Sequence, residues 1–321
     1  MKTFLTHIFL LLFISVQSQS PSTFITTNAE KELIPEGIAI DPRTGNIYIS
    51  SIAGHKIVLV DSKGNCMDFI ASDEQGFLEG LGMKVDVKRN LLWALSNKSD
   101  GKRFTSQVHA FDLTSAKAKH FYSIKDTTPH LFNDLDIDQH GNVYLTDTHF
   151  GAIYFVNTWE RKLQLFLKTS LTMYPNGIAL GRNNQVFIAT YQNGLVKIDL
   201  QKKSPEVINT KDSVRSHGLD GLVFIENCLI GVYNYNIYDS VGFAIPAILK
   251  YRLDETGQVI KQELLDEANR YFAEPTTLAV AGNKLFVLAN SHLAAYNANK
   301  QSTKGIEDRL KPVTVLQYKL H

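Results

Sequence analysis

The chain has 321 residues, of which 44% are hydrophobic and 20% charged, with a formal net charge of +1. That composition belongs to a folded globular protein and excludes long disorder. Balanced charge also excludes the basic field that a nucleic-acid or anionic-membrane partner would need.

Residues 1–18 read as a secretory signal. Lys2 supplies the positive start, Phe4 to Val16 is apolar, and Val16 and Ser18 satisfy the small-residue rule at −3 and −1 of a cleavage site. The apolar stretch is shorter than the roughly 20 residues of a membrane span. Cleavage after Ser18 is expected, leaving a secreted or periplasmic protein with no membrane contact.

The stretch Pro35 to Asp61 then sets a pattern. Three short runs rich in Ile and Val (Gly37–Asp41, Ile47–Ser50 and Lys56–Asp61) are separated by tight turns, and Met67–Ala71 adds a fourth. Runs of this length suit strands rather than helices. The turn Arg43-Thr44-Gly45-Asn46 holds the Gly and Asn that a hairpin uses at positive φ.

The pattern returns five times. Gly82–Asp86 with Leu91–Leu95 is the second copy, and Asp134–Asp138 with Val143–Thr146 the third. Gly177–Leu180, Val186–Thr190 and Leu195–Leu200 make the fourth; Gly221–Ile225 and Leu229–Val232 make the fifth. The sixth is Thr277–Val280, Leu285–Ala289 and Leu293–Tyr296. Repeats of about 40–50 residues built from short strands are the mark of a propeller. The expected fold is therefore all-β, one six-bladed β-propeller over residues 19–321 with four-stranded antiparallel blades around a central tunnel. Either Phe24–Thr27 or Val313–Leu320, or both, must close the ring between blades 6 and 1. Long intervals predict extended loops at Asn97–Ser106 in blade 2 and Tyr233–Pro246 in blade 5. Cys66 and Cys228 are expected as buried free thiols rather than a disulfide. Asn97-Lys98-Ser99 is a glycosylation sequon, relevant only to a eukaryotic secretory route.

In such meanders the loops entering the first strand and joining the second to the third share one face. That face collects Asp147-Thr148-His149, Tyr191-Gln192-Asn193, Tyr233-Asn234 and Asn290-Ser291-His292, whereas the other carries plain turn chemistry. The residues immediately before the six innermost strands are Glu36, Leu81, Asn133, Asn176, Asp220 and Thr276. Singly, Glu36 is an ordinary loop acid, Asn176 and Asp220 are ordinary turn residues, and Asn133 an ordinary backbone cap. Four oxygen-bearing side chains at one register of a repeat need another explanation. They ring one mouth of the tunnel, and two carboxylates with two amide carbonyls suit a hard divalent cation, Ca²⁺ above all.

With Pro-Glu-Gly at 35–37, Phe-Asn-Asp at 132–134, Pro-Asn-Gly at 175–177 and Leu-Asp-Gly at 219–221, the chain resembles the regucalcin/gluconolactonase-type (senescence marker protein) six-bladed propellers. The resemblance implies a metal-dependent hydrolase of lactones or related esters. It makes Glu36, Asn176 and Asp220 metal ligands, Asn133 a metal or substrate contact, and Asp220 the base. One position departs from the pattern: the Arg that sugar-lactone hydrolases carry two residues before the Asn of Phe-Asn-Asp is Leu131 here, which points to a less polar lactone or ester.

The mechanism expected is attack by water on a carbonyl polarised by the cation, with Asp220, His149, His217 or Asp147 taking the proton. Asn133, Asp147, His217, Tyr191, Tyr233 and Tyr235 would contact substrate, and Phe243 to Pro246 would form an apolar lid. No Gly-x-Ser-x-Gly elbow or phosphate-binding glycine loop is present. The competing class is a non-catalytic propeller that binds a small ligand or partner protein on the same face.

Overall fold

Each of the six repeats folds as a four-stranded antiparallel sheet. The computed structural model describes residues 21, 23–26, 31–61, 63–210, 215–234 and 245–320. The signal-like segment 1–18 and positions 235–244 of the blade-5 loop, with Tyr235 and Phe243, lie outside the described residues.

A first strand, β1 (Thr23–Thr26), precedes blade 1, which comprises β2 (Pro35–Ile40), β3 (Ile47–Ser51), β4 (Lys56–Val60) and β5 (Cys66–Ile70). Blade 2 is β6 (Glu79–Asp86), β7 (Leu91–Ser99), β8 (Phe104–Asp112) and β9 (Ala118–Asp126). Blade 3 is β10 (Phe132–Ile137), β11 (Val143–Asp147), β12 (Ala152–Asn157) and β13 (Lys162–Lys168). Blade 4 is β14 (Pro175–Leu180), β15 (Gln185–Thr190), β16 (Gly194–Asp199) and β17 (Ser204–Val207). Blade 5 is β18 (Leu219–Ile225), β19 (Cys228–Tyr233), β20 (Ala247–Leu253) and β21 (Val259–Glu267). Blade 6 is β22 (Leu278–Ala281), β23 (Lys284–Leu288), β24 (Thr314–Lys319) and, as its outermost member, β1.

Each innermost strand touches the next, and β22 returns to β2, so the ring is complete. The two candidate closing segments share the seam: β24 is third in the sheet and β1 pairs with its outer edge, Phe24 opposite Leu316. Blades adhere through their apolar faces. Between blades 2 and 3, Leu91, Trp93, Leu95 and Val108 pack on Phe132, Leu135, Val143 and Leu145. Each such side chain removed from water stabilises the fold by about 1.5–3 kcal/mol.

Two expectations are corrected. Leu293–Tyr296 is not the third strand of blade 6 but most of a short helix, α1 (Leu293–Ala298), inside the long β23–β24 connection. Leu-Ala-Ala is a run of good helix formers, and a four-residue apolar run does not fix its own type. The blade-2 segment from Asn97 is hairpin rather than loop, since β7 reaches Ser99 and pairs with β8 from Phe104. The sequon asparagine is taken up between this hairpin and blade 3: Asn97 Nδ2 donates to the Phe132 carbonyl at 2.9 Å, and Oδ1 accepts from Phe132 N and Ser106 Oγ. Cys66 and Cys228 are free; Cys228 is buried and Cys66 partly so.

Candidate functional site

The backbone aims the ring residues by a device repeated around the tunnel. In five blades the pairing of first and second strands slips at the ring position: between Pro35 and Gly37, Gly80 and Met83, Phe132 and Leu135, Pro175 and Ile178, and Leu219 and Leu222. Such a bulge leaves a residue outside the ladder and turns its side chain in a new direction. Here the slipped positions hold Glu36, Leu81, Asn133, Asn176 and Asp220. Two residues before the ring, four blades are left-handed: Ile34 at φ 47°, Tyr174 at 51°, Gly218 at 72° and Glu274 at 66°. Glycine follows the ring residue where the next blade comes closest. A Cβ on Gly37 would stand 2.0 Å from the Leu81 carbonyl oxygen, and one on Gly177 2.3 Å from that of Asp220.

Each of the four candidate ligand side chains is held by a specific bond, one of which joins two of them. Ser291 Oγ donates to Glu36 Oε1 at 2.9 Å, and Asn234 Nδ2 donates to Asp220 Oδ2 at 2.8 Å. The Asn176 amide bonds Asp220 and also donates to the Tyr191 hydroxyl at 2.9 Å. Asn133 Nδ2 donates to Thr148 Oγ1 at 3.0 Å. Both ring amides thus donate to neighbours, which leaves their carbonyl oxygens for the site.

Electrostatically the mouth is unbalanced. Burial raises Glu36 well above the usual carboxylate range, and the charges of Asp220 and Glu274 push it further. Asp220 is raised to about 7, chiefly by burial, with Glu274 adding to it. Glu274, a third acid, is raised to about 7 by burial, against the backbone N–H groups of Ala294 and Leu293 that it accepts at the start of α1. Among the described residues no Lys or Arg pairs with any of the three. The buried Thr276 hydroxyl, at the sixth ring position, faces the Glu36 carboxylate and favours its ionised form.

This donor set fits a hard dication: two carboxylates and two amide carbonyls, with negative charge that no Lys or Arg among the described residues neutralises. Among the described residues, no group of three His, Cys, Asp or Glu side chains is close enough to hold a metal. A site here therefore needs its amide oxygens, and Glu274 lies outside the ligand set.

The other predicted residues fare differently. Tyr191 reaches the ring through Asn176. Asp147 does not: it is fully buried, its Oδ2 bonds His130 Nδ1, and its Oδ1 accepts from the backbone of Leu131 and Phe150. Both oxygens shape the loop that enters blade 3, so it has no lone carboxylate to offer a substrate. His149 is exposed beside this pair, its pKa lowered by partial burial despite the pull of Asp147. His217 is exposed and adjoins Ser216 and Gly194. Tyr233 pairs with Leu219 and lies 5.1 Å from the Arg215 guanidinium.

Sequence reasoning missed Glu274, Asn234, Ser291 and His130. Ser291 and Asn234 were within the loops that collect on the mouth face, and one more step, asking what holds each ring acid, finds them. Glu274 sits two residues outside the repeated register.

The β23–β24 connection covers one side of the mouth. Leu293, Ala295, Tyr296, Ile306 and Leu310 pack on Ile34, Ile52, Leu81 and Leu131.

Comparison with known proteins agrees with this architecture. No curated protein sequence matches the chain. A gluconolactonase from Xanthomonas campestris is 12% identical, with a TM-score of 0.57 over 88% of this chain and 85% of its own. A virginiamycin B lyase from Staphylococcus aureus is 13% identical, with 0.58 over 83% and 81%. A PQQ-bound aldose sugar dehydrogenase from Streptomyces coelicolor is 13% identical, with 0.60 over 93% and 97%. Identities this low speak for the fold alone, and the three names span three chemistries. The sequence model of the SMP-30/Gluconolactonase/LRE-like region matches residues 34–224, a span that holds Glu36, Asn133, Asn176 and Asp220. The chain belongs to the SMP-30/gluconolactonase/LRE-like family.

Proposed function

We propose that the protein is an exported, divalent-cation-dependent hydrolase of a lactone or related ester, with Ca²⁺ as the physiological ion. The observation that carries the reading is the placement of Glu36 and Asp220 with the amides of Asn133 and Asn176 at bulged positions of the tunnel mouth, with no Lys or Arg among the described residues paired to the two acids. Family membership supports a lactonase-type reaction.

Glu36, Asn133, Asn176 and Asp220 would hold the ion. Bound there, it supplies Lewis-acid stabilisation of the oxyanion that forms as the carbonyl is attacked. Asp220 takes the proton of the attacking water; burial raises this carboxylate to about 7 in the cation-free protein, and a bound cation would hold it in the ionised form that a base needs. Asn234 and Asn176 fix the orientation of that carboxylate, and Ser291 fixes that of Glu36. The ring oxygen departs as an alcohol after protonation, and the acid product leaves as a carboxylate. Leu81 and Leu131, under the β23–β24 connection, give this side of the mouth an apolar wall with no guanidinium for polyol hydroxyls. That favours lactones or esters with apolar substituents over aldonolactones.

The test is turnover of a panel of alkyl lactones, aldonolactones and aryl esters, with and without chelator. Chelation should abolish hydrolysis and Ca²⁺ restore it, with alkyl lactones preferred. Asn176→Ala and Asp220→Ala should each lose cation binding and turnover; retention of both by either variant would refute the assignment. Cation binding without turnover on any substrate would leave a binding module.

A further inference from the structure

On the face opposite the mouth, a cleft of about 570 Å³ lies between blades 2 and 3, lined by Arg89, His120, His140, Asn142, Asn157 and Trp159. Its volume is in the range of small-molecule sites. Its most unusual member is Trp159, 93% exposed at the tip of the β12–β13 hairpin, the most exposed large hydrophobic residue among those described. A lone exposed apolar side chain needs no explanation. An indole standing over a cleft whose other walls are a guanidinium, two imidazoles and two carboxamides does.

Those walls are built rather than loose. Arg89 Nη1 donates to the buried Asp86 at 3.0 Å, and its backbone N–H to the same carboxylate at 3.1 Å. The guanidinium lies against Gly141, where a Cβ would stand 2.2 Å from Cζ, so no side chain at 141 could share the space. His120 stacks on the fully buried Trp93, ring centroids 5.9 Å apart and planes within 6°. Asn157 Oδ1 accepts the backbone N–H groups of Trp159 and Glu160, which fixes the hairpin tip and leaves the Asn157 amide N–H groups for a ligand.

Charge selects the ligand. Asp86 already neutralises Arg89, and burial with the nearby Arg161 favours the uncharged form of His120, which then offers one donor and one acceptor. Asp138 is committed to its own turn and to Asn142, and Glu160 accepts from Gln164. A cleft with planar donors and acceptors, an aromatic platform and no unbalanced charge on its walls matches an uncharged ring rich in hydroxyl groups. We propose that this cleft is a second, non-catalytic site that binds a neutral pyranose unit of a saccharide, stacked on Trp159 and hydrogen-bonded to Arg89, His120, His140 and Asn157.

The chain has two tryptophans; Trp93 is fully buried, so a change at the exposed indole can be assigned. The intact protein is titrated with cellobiose, maltose, lactose and N,N′-diacetylchitobiose through the millimolar range. Emission is followed together with acrylamide quenching, and binding is checked by calorimetry. At least one disaccharide should shift the Trp159 emission saturably to the blue and shield it from quencher. Trp159→Ala should weaken the calorimetric signal by roughly tenfold or more, and His140→Ala by severalfold, without altering the thermal midpoint. No saturable binding of any of the four, equal affinity in both variants, or a blue shift produced only by phosphatidylcholine vesicles would overturn the proposal. Because the cleft lies away from the mouth, the outcome is independent of the lactonase assignment.

Discussion

Asp220 and Glu274 make the site's chemistry visible in solution. Both are held near 7 in the folded, cation-free protein, against an ordinary carboxylate value near 4 in the unfolded chain. The folded state therefore binds more protons than the unfolded state between those values, so stability is highest at the acid end and falls as pH rises through about 4 to 7. A divalent cation reverses the sense by favouring the ionised forms, and its binding releases protons. The expected record is a cation-free thermal midpoint that declines across this window, recovery on adding Ca²⁺, and a calorimetric binding heat that varies with the ionisation enthalpy of the buffer. A flat midpoint and a buffer-independent heat would contradict it. Glu274→Gln removes one repelling charge, so the cation-free protein should gain about 1 kcal/mol at pH 8 while Ca²⁺ affinity falls by severalfold, since long-range attraction is lost. This residue shows where sequence reading stops. Glu36, Asn133, Asn176 and Asp220 were legible because a repeat places like residues at like positions. Glu274 occupies the left-handed kink that Ile34, Tyr174 and Gly218 occupy elsewhere, and nothing in a string of letters says that this particular kink faces two buried acids.

At the level of elements, the working unit combines a kink in four blades, a bulge in five and a glycine in four, all three together in blades 1, 4 and 5. The kink and bulge turn the ring residue out of its ladder, and the glycine admits the neighbouring strand. Gly177 is the case that bears most directly on the site, because a methyl group there meets the Asp220 backbone rather than a side chain that could rotate away. Gly177→Ala is expected to cost about 1–3 kcal/mol, the usual range for overpacking. It should also lower Ca²⁺ affinity, because Asp220 must move; unchanged melting and unchanged affinity together would show that the close approach does not position the site. The sequence displayed these glycines in register but not their purpose. It also misassigned Leu293–Tyr296 to a strand, because the preceding strands of the repeat created an expectation that a helix-forming insertion then broke. Asp147 was misread for a related reason. A carboxylate on the mouth face looks available until the fold shows His130 and two backbone N–H groups occupying both its oxygens.

For the whole molecule, the question is how a ring made from one chain stays shut. The seam is held by β1 on β24 and by the site itself, while the Tyr318 hydroxyl, donating to Asp266 at 2.7 Å, ties blade 6 to blade 5. Glu36 belongs to blade 1 and Ser291 to the β23–β24 connection of blade 6, 255 positions apart in the chain, yet they share a hydrogen bond. Closure and cation binding are therefore one problem: whatever loosens the seam separates Glu36 from Ser291 and Thr276. A chain beginning at residue 27 lacks β1, which bares the outer edge of β24 and invites pairing with other chains. That variant should melt earlier and self-associate at high concentration. Its Ca²⁺ affinity should also fall, although every ring residue is still present. Saturating Ca²⁺ should then raise its midpoint by less than it raises that of the intact chain at the same concentration, since the stabilisation conferred by a ligand follows its affinity for the folded state. Equal affinity in the two chains would mean that blades 1 and 6 are held in place by their cores alone, and that β1 guards an edge without contributing to the site.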